Sequence, residues 1–576
     1  MKAQAKFSDT SKNVYKTIRL RKQNLDEAKK IAEQFKLSFV ASSTLAARGY
    51  KAGPELSTYI QPSLKEGMPS PDKLKNLDEG SQLLADITAK GGSVAICCDF
   101  DVDGLSGGSQ LHHFLTALGI KNQVFVPDRF KDGYGLNEKM IRRIAEEKFS
   151  LVVCIDYGTT NIKELTLARE LGLKSIVKDH HPVGDLKAAC DVFINPNQEG
   201  CNFADSILCA SGLTWYFLLG LKKKIKAAAD IDIKSYLDLA CLGTICDMVP
   251  LRGINRIIAK RGLELLTKTT RPGLQALKNV SSLHNEIQCS HISFGIGPRL
   301  NAAGRMIHGE LVVELLTTSD SEKADKLAQK LNKLNTDRQD VELKVKEKAV
   351  YLVNNLAKLP FGIVVHDSKF HTGVIGIVAQ RLVENFYRPS VVLGMDEEGI
   401  YKGSVRGIKG FSVVETLAAV SKHLLKFGGH DGAGGLAIRA ENIEAFTADF
   451  AAECEARLSK LEIDPYVEAD ASVYLSDLNL ALVKELKGFA PFGIGNPSPV
   501  LVIHNLRVKD VRVLKASHLK VTLTDGKRSI SGFMWKQTEH PELVVGNKVN
   551  VAFRPDENTY NGNQDVQANI QAVERA

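Results

Sequence analysis

Several things are missing from this sequence, and each absence removes a class of protein. No apolar run approaches the roughly twenty residues that a membrane-spanning helix needs, and residues 1–30 are charged, with no hydrophobic stretch of the kind a secretory leader carries. The ten cysteines include no Cys-x-x-Cys pair. Five of them (Cys97, Cys98, Cys154, Cys241 and Cys246) lie in apolar runs, so they read as reduced core residues and not as a disulfide framework. No internal repeat and no low-complexity tract is present. The expectation is a cytoplasmic, multidomain protein. Its 576 residues exceed what one core supports, which predicts three or four domains. The apolar fraction of 44% and charged fraction of 25% are those of ordinary globular chains. A net charge of +8 permits a polyanionic partner without requiring one.

The chemistry concentrates in Asp99-Phe100-Asp101-Val102-Asp103-Gly104, directly behind the apolar run Val94-Ala95-Ile96. Three carboxylates at alternate positions repel one another, and a divalent metal is the usual compensation. Three further stretches supply similar groups: Asp156-Tyr157-Gly158 after Leu151–Ile155, Asp179-His180-His181-Pro182 after Ser175–Val177, and Asp247 in Gly243-Thr244-Ile245-Cys246-Asp247. Each acid follows an apolar run, and the carboxyl ends of strands in an open parallel sheet share one crevice. Carboxylates with imidazole and no nearby thiolate pair suit manganese or magnesium better than structural zinc. The set predicts a two-metal phosphoesterase.

Taken in order, residues 1–75 predict a leader or cap with a helix at Leu25–Phe35 and a second helical stretch stopped by Gly49, packed on the first large domain. Strands expected at 93–98, 123–127, 151–155, 174–178 and 191–194 alternate with helices, which predicts a doubly wound parallel sheet within a catalytic domain at 76–315. Pro127–Gly135 reads as a glycine-containing basic loop with Arg129, and Gly297–Arg305 as another small-residue loop with Arg299 and Arg305. A long amphipathic helix over 319–353, with Ser319-x-x-Glu322 as capping box, is either a connector at 316–355 or a surface helix of the first domain. A second α/β domain at 356–462 carries His371–Gly376, Arg381, Ser404, Arg406 and the glycine-rich loop Gly428–Gly435 around His430. Such glycines let backbone N–H groups approach a phosphate. From 463 to 576 the pattern is all-β, with strands at 500–503, 506–514, 519–524, 529–535 and 549–554 and a last one after Asn561-Gly562, the size of an OB-type barrel.

Blander readings stand beside these. Lys222-Lys223-Lys224 reads as a solvated helix end. Phe533, Trp535, Phe553 and Tyr560 are candidates to stack on bases, but Phe533 and Trp535 alternate onto one face, and that face is expected to be core.

The combination Asp-x-Asp-x-Asp-Gly, Asp-Tyr-Gly, Asp-His-His and Gly-Thr-x-x-Asp resembles the DHH phosphoesterase superfamily. Arg129-Phe130-x-Asp132-Gly133-Tyr134-Gly135, Gly297–Arg305, His371-x-Gly373-Val374-Ile375-Gly376, Gly428-Gly429-His430 and the barrel-like tail extend the resemblance to the RecJ family of single-strand-specific exonucleases, over nearly the whole chain from about residue 45. The resemblance implies a DHH domain, a DHH-associated (DHHA1) domain and an OB fold gripping single-stranded DNA. It implies two Mn2+ or Mg2+ ions held by Asp101, Asp103, Asp156, His180 and Asp247, with Asp156 between them and Asp99 as a ligand or its support. His181 would face the scissile phosphate, so His181, Asp156 and Asp101 are the expected catalytic residues. Arg129, Arg305, Ser404 and Arg406 are expected at the 5′-phosphate, and Arg381 and His430 at the next nucleotides. The implied activity is 5′→3′ release of mononucleotides from single strands in DNA repair and recombination, with a single-strand-binding protein and a helicase as cooperating proteins. Two departures stand out: Asp-Tyr-Gly replaces the commoner Asp-Asn-Gly, and Asp431 follows Gly-Gly-His. Neither removes an expected ligand. Two other readings stay open: a superfamily phosphoesterase acting on short oligonucleotides, phosphoadenosine phosphates or pyrophosphate, and a non-catalytic replication-fork scaffold.

Overall fold

The structure, a computed structural model, describes residues 15–129, 135–184, 189–203, 208–461, 464–558 and 564–576. Residues 130–134 of the basic loop, Tyr560 and the Asn561-Gly562 turn lie outside the described residues. The chain forms two compact units, one of Gly53–Thr336 with Gly488–Ser498, the second of the remaining described residues.

In the first unit, β1 (Val94–Cys98), α1 (Val102–Ala117), β2 (Asn122–Phe125), α2 (Glu138–Glu146), β3 (Leu151–Ile155), α3 (Ile162–Glu170), β4 (Lys174–Lys178) and β5 (Val192–Ile194) alternate as expected. The five strands run parallel in the order β2-β1-β3-β4-β5. β1 and β3 are apolar at every position because both faces are covered. Val94, Ile96 and Cys98 enter one core, where α1, α4 (Ala210–Lys224), α5 (Leu237–Cys246) and α6 (Gly253–Thr267) contribute. Ala95 and Cys97 point to the opposite core with Met140, Ile141 and Ile144 of α2 and Leu165 and Ala168 of α3. The strand order reverses direction between β1 and β3, which places the topological switch point at their carboxyl ends.

Gly297–Arg305 is not a loop. It lies in α7 (Gly297–Met306), entered through one turn of π-helix at Ile292–Ile296 and carrying Pro298 in its first turn, where a missing N–H costs nothing. The long helix is a single element, α8 (Ser321–Asn354), and its cap differs from the expectation: Asp320, not Ser319, accepts hydrogen bonds from Glu322 N at 2.9 Å and Lys323 N at 3.1 Å. Lys222–Lys224 close α4 as a charged last turn, with Lys223 and Lys224 paired to Asp72 and Asp78.

The second unit contains a mixed sheet and a barrel. β6 (Ile363–Asp367), α9 (Ile375–Phe386), β7 (Ser390–Met395), β8 (Tyr401–Arg406), β9 (Leu424–His430) and β10 (Ala433–Ile438) form a sheet of order β9-β10-β8-β7-β6, parallel only between β6 and β7. The glycine-rich stretch 428–435 is therefore the end of a β-hairpin and not a loop, with Gly428 opposite Gly435 and His430 opposite Ala433. The tail closes as five strands, β11 (Leu501–Leu514), β12 (His518–Thr524), β13 (Ser529–Met534), β14 (Lys548–Asn558) and β15 (Asp565–Arg575), in the order β11-β12-β13-β15-β14, with β14 pairing back onto β11. The two strands expected at 500–503 and 506–514 are one, kinked by a register shift between Ile503 and Leu506 where Asn505 has φ +59°.

Residues 15–52, expected to pack on the first domain, pack instead beside the barrel. Thr17–Leu20 pairs parallel with Tyr466–Ala469, Ile18 N donates to Glu574, and Arg48 grips buried Asp470 with two bonds of 2.9 and 2.8 Å.

Candidate metal centre

The parallel register aligns the acids. Cys98 lies opposite Ile155, and Ile155 opposite Lys178, so Asp99, Asp156 and Asp179 leave three adjacent strands at the same level, at the switch point. Asp156 does so with φ +71°, a conformation that a non-glycine residue adopts only when its surroundings enforce it.

Two helix N-termini fix the next two acids. Asp101 caps α1, its Oδ1 accepting from Asp103 N at 2.9 Å and Gly104 N at 3.2 Å. Asp103 lies two residues on, in the first turn of α1, and accepts from Ala210 N at 2.6 Å and Ser211 N at 2.9 Å, the first N–H groups of α4. Gly243 explains the Gly-Thr-x-x-Asp spacing: a Cβ there would lie 2.2 Å from Asp103 Oδ1, so only glycine lets α5 approach. Asp247 then emerges from the C-terminus of α5. It follows a helix, contrary to the expectation that every acid follows a strand.

His180 joins the set. Its Nε2 is 3.1 Å from Asp156, 3.7 Å from Asp247 and 3.9 Å from Asp103. Three overlapping groups offer ligand atoms within 4.8 Å of one another: Asp99, Asp101 and Asp156; Asp103, His180 and Asp247; Asp156, His180 and His181. Burial, then the neighbouring carboxylates, push Asp99, Asp101 and Asp156 above the usual carboxyl range and Asp247 up to about 8. Asp99 Oδ1 is buried without a hydrogen-bond partner among the described residues. Oxygen-rich donors that cannot ionise together unaided, one of them with an orphaned oxygen, fit a hard divalent cation.

Asp179 plays a different part. Its Oδ1 accepts from His180 N, His181 N and His181 Nδ1 (2.7 Å), while Thr159 N and Oγ1 donate to Oδ2. Burial alone would lower the His181 pKa, but the Asp179 hydrogen bond and charge prevail and hold it at about 9. A pKa of about 9 favours the imidazolium at neutral pH, with Nδ1 tied back to Asp179. A carboxylate one or two residues before a histidine was the available signal for this pair.

Around this centre, Arg129 lies with its guanidinium 5.2 Å from the Phe100 ring, where burial lowers its pKa against the opposing pull of Asp99 and Asp101. Arg305 stands in the last turn of α7, beside Gly304, whose Cβ position is 2.8 Å from Phe100 O. The remaining expected residues belong to the second unit. Arg406 Nη1 donates to Ser404 Oγ at 2.9 Å, and the Cβ position of Gly376, in the first turn of α9, is 3.0 Å from both side chains. Serine, arginine and a helix N-terminus together offer an anion three kinds of donor. Arg381 is engaged by Glu384 and Glu342, and His430 is exposed at the hairpin tip. Asp431 accepts from Ser412 Oγ and Val413 N through its side chain and backbone, a structural role.

The barrel corrects the aromatic reading. The face of Phe533 and Trp535 points outward: Trp535 is 51% exposed and stacks on Phe533 at 5.8 Å and 15°. His518 meets Trp535 edge-on at 4.9 Å, and Lys520 lies 5.7 Å from the Phe533 ring. Phe553 is buried, which removes it as a stacking candidate.

A crevice of acids and imidazoles at the switch point of a parallel sheet, with a mixed-sheet α/β domain and a five-stranded barrel in one chain, defines a phosphoesterase of the DHH class. Residues 93–244 match the DHH family N-terminal domain, 354–456 the DHHA1 domain and 469–572 the RecJ OB domain. The chain belongs to the RecJ family. It is 31% identical over 556 residues to the single-stranded-DNA-specific exonuclease RecJ of Bacillus subtilis, covering 96% of this chain and 70% of that one. It is 29% identical over 584 residues to the Escherichia coli RecJ, covering 96% and 99%. The crystal structure of Thermus thermophilus RecJ in complex with Mn2+ superposes with a TM-score of 0.83 at 28% identity, over 97% of this chain and 79% of that one.

Proposed function

We propose that this protein is a metal-dependent exonuclease that degrades single-stranded DNA from the 5′ end, releasing mononucleotides. The observation that carries the reading is the convergence of Asp99, Asp101, Asp103, Asp156, His180 and Asp247 at one sheet switch point. These residues would hold two divalent cations, and the relatives crystallised with Mn2+ or Mg2+ support those metals. Two divalent ions held by these residues would supply an acidified water nucleophile and would offset charge on the attacked phosphate.

The chain's own residues do the rest. His181, kept protonated by Asp179, donates from Nε2 to an oxygen of the scissile phosphate as negative charge grows. Arg129 and Arg305 are candidates for the 5′-phosphate. In the second unit, Ser404 and Arg406 bind the terminal 5′-phosphate, and His430 and Arg381 bind phosphates further along. A pocket that requires a chain end accounts for exonuclease action, since an internal phosphate cannot fill it. The strip of Phe533, Trp535, His518 and Lys520, of which Trp535 is the exposed member, stacks on bases of the single strand, on the β12–β13 face that OB folds use for oligonucleotides. The functional division we propose is a leader at 1–75, the DHH domain at 76–315, a connecting helix at 316–355, the DHHA1 domain at 356–462 and the OB domain at 463–576. Among the described residues, no helix is long and apolar enough to cross a membrane.

Hydrolysis of a long single strand, a dinucleotide and pyrophosphate by the same preparation tests the substrate class. The reading expects the long strand to be strongly preferred. Preference for the dinucleotide or pyrophosphate contradicts it.

A further inference from the structure

The segment Gly488–Ser498 immediately precedes the barrel in sequence but packs as part of the first unit. Two buried polar side chains hold it there. Arg256 on α6 donates from Nε to Tyr59 O at 2.9 Å, from Nη2 to Ala490 O at 2.9 Å and from Nη1 to Pro491 O at 3.4 Å, with its guanidinium 4.0 Å from the Tyr59 ring. Asn496 donates to Phe489 O and Pro491 O at 3.0 and 2.7 Å and accepts from Tyr59 Oη at 2.9 Å. A buried guanidinium is tolerated only when its donors are met, so this stitching is strongly specified.

The strap ends in a tight turn, Gly493 and Asn496 exchanging backbone hydrogen bonds of 3.0 and 3.1 Å. Its tip rests on the chain just after Asp247. Leu251 N donates to Ile494 O at 2.7 Å, and Arg252 Nε donates to Gly495 O at 2.9 Å. Gly495 has φ +73°, and a Cβ there would lie 2.9 Å from Pro250, so the contact tolerates no side chain.

Asp247 is held less directly than Asp101, Asp103 and Asp179. Backbone N–H groups hold the carboxylates of Asp101, Asp103 and Asp179. Among the described residues the Asp247 carboxylate has no hydrogen-bond donor, and its ion-pair neighbour is His180 Nε2 at 3.7 Å. It also stands at a helix C-terminus, where the helix dipole opposes a negative charge, and Met248 beside it turns through φ +60°.

We propose that the strap Gly488–Ser498, locked by Arg256 and Asn496, is the positioning element for Asp247. By pinning Pro250 and Leu251 it fixes the turn 247–252, and with it the place from which the Asp247 carboxylate meets a cation. The inference rests on the reading of Asp247 as a ligand, and the test separates the two. Mn2+ binding to the full chain is followed by electron paramagnetic resonance, with thermal melts, for the parent, Asp247→Asn, Gly495→Ala, Arg252→Ala and Arg256→Lys. Gly495→Ala is expected to stay folded and to weaken by about tenfold the binding step that Asp247→Asn loses, leaving other Mn2+ binding at the parent level. Arg252→Ala is expected to act in the same direction with a smaller shift, and it decides the matter should Arg256→Lys or Gly495→Ala fail to fold. Nuclease activity of Gly495→Ala is expected to recover at high Mn2+, whereas that of Asp247→Asn is not. Parent-like Mn2+ binding by the folded strap variants, with a step lost in Asp247→Asn, overturns the positioning role alone. Parent-like binding by Asp247→Asn itself overturns the ligand assignment and the strap's role with it.

Discussion

The acid cluster of the first unit and the aromatic strip of the barrel hold their working groups in opposite ways. At the switch point, buried carboxylates are fixed by backbone N–H groups, by two helix N-termini and by a strained φ at Asp156. On the barrel, Trp535 is exposed and stacks on half-buried Phe533, with His518 edge-on and Lys520 beside the Phe533 ring. Buried charge must be arranged before a ligand arrives, because an unpaired carboxylate cannot wait in a low dielectric without cost. Exposed rings can wait, since water tolerates them and stacking is available to any base. On the proposed reading, one site serves chemistry at a fixed point and the other grip on an indifferent sequence.

Perturbing each side in turn breaks this contrast in graded steps. Asp156→Ala is expected to reduce metal-dependent hydrolysis of single-stranded DNA at least about a thousandfold, with far-UV circular dichroism unchanged. Near-parent turnover would remove Asp156 from the centre.

Asp179→Asn comes next, at about a hundredfold. Without the aspartate, the hydrogen bond and charge that do most to hold the His181 pKa at about 9 are lost and it falls, with only the Asp247 and Asp99 charges left to oppose burial. The defect should be larger at pH 8.5 than at pH 6, and a pH-independent loss would contradict the imidazolium role.

A third effect concerns stability with metal chelated. The Asp247 pKa is raised from 3.8 to about 8 and that of His181 from 6.5 to about 9, so both contributions are lost as pH rises through those folded-state values. The melting temperature of the chelated protein should fall between pH 6 and 9, and Mn2+ should reduce the fall. A flat profile in chelator would contradict the described electrostatics.

The smallest effect belongs to the barrel. Trp535→Ala should weaken binding of a long single strand by about 1–3 kcal/mol in fluorescence anisotropy, while dinucleotide hydrolysis stays at the parent rate. Equal losses on both substrates would move Trp535 out of a purely gripping role.

The contrast also explains what could be read from the sequence. Wholly apolar β1 and β3, each followed by an aspartate, announced a sheet covered on both faces with acids at its carboxyl edge, because burial leaves a composition signature. Elements placed by tertiary contact left none. Asp247 follows an apolar run that is helical, and Gly297–Arg305, rich in small residues, is helical because α7 must pack closely against Phe100 and Cys246. The hairpin around Gly428–Gly435 hides behind glycines that suit a loop equally well. Phe533 and Trp535 alternate as core residues would, and only the closed barrel decides which face is outside. Residues 15–52 gave no hint of their partner, since Arg48 meets Asp470 across more than four hundred residues of sequence.

The central claim is that this centre removes nucleotides from the 5′ end of a single strand. The most direct test is degradation of a single-stranded DNA labelled at either end, with Mn2+ and with chelator, beside a matched duplex. The account predicts Mn2+-dependent release of labelled mononucleotide from the 5′ end at once, from the 3′ end only after the strand is consumed, and an intact duplex. Prompt release from the 3′ end, internal cleavage, or equal loss of the duplex would contradict it.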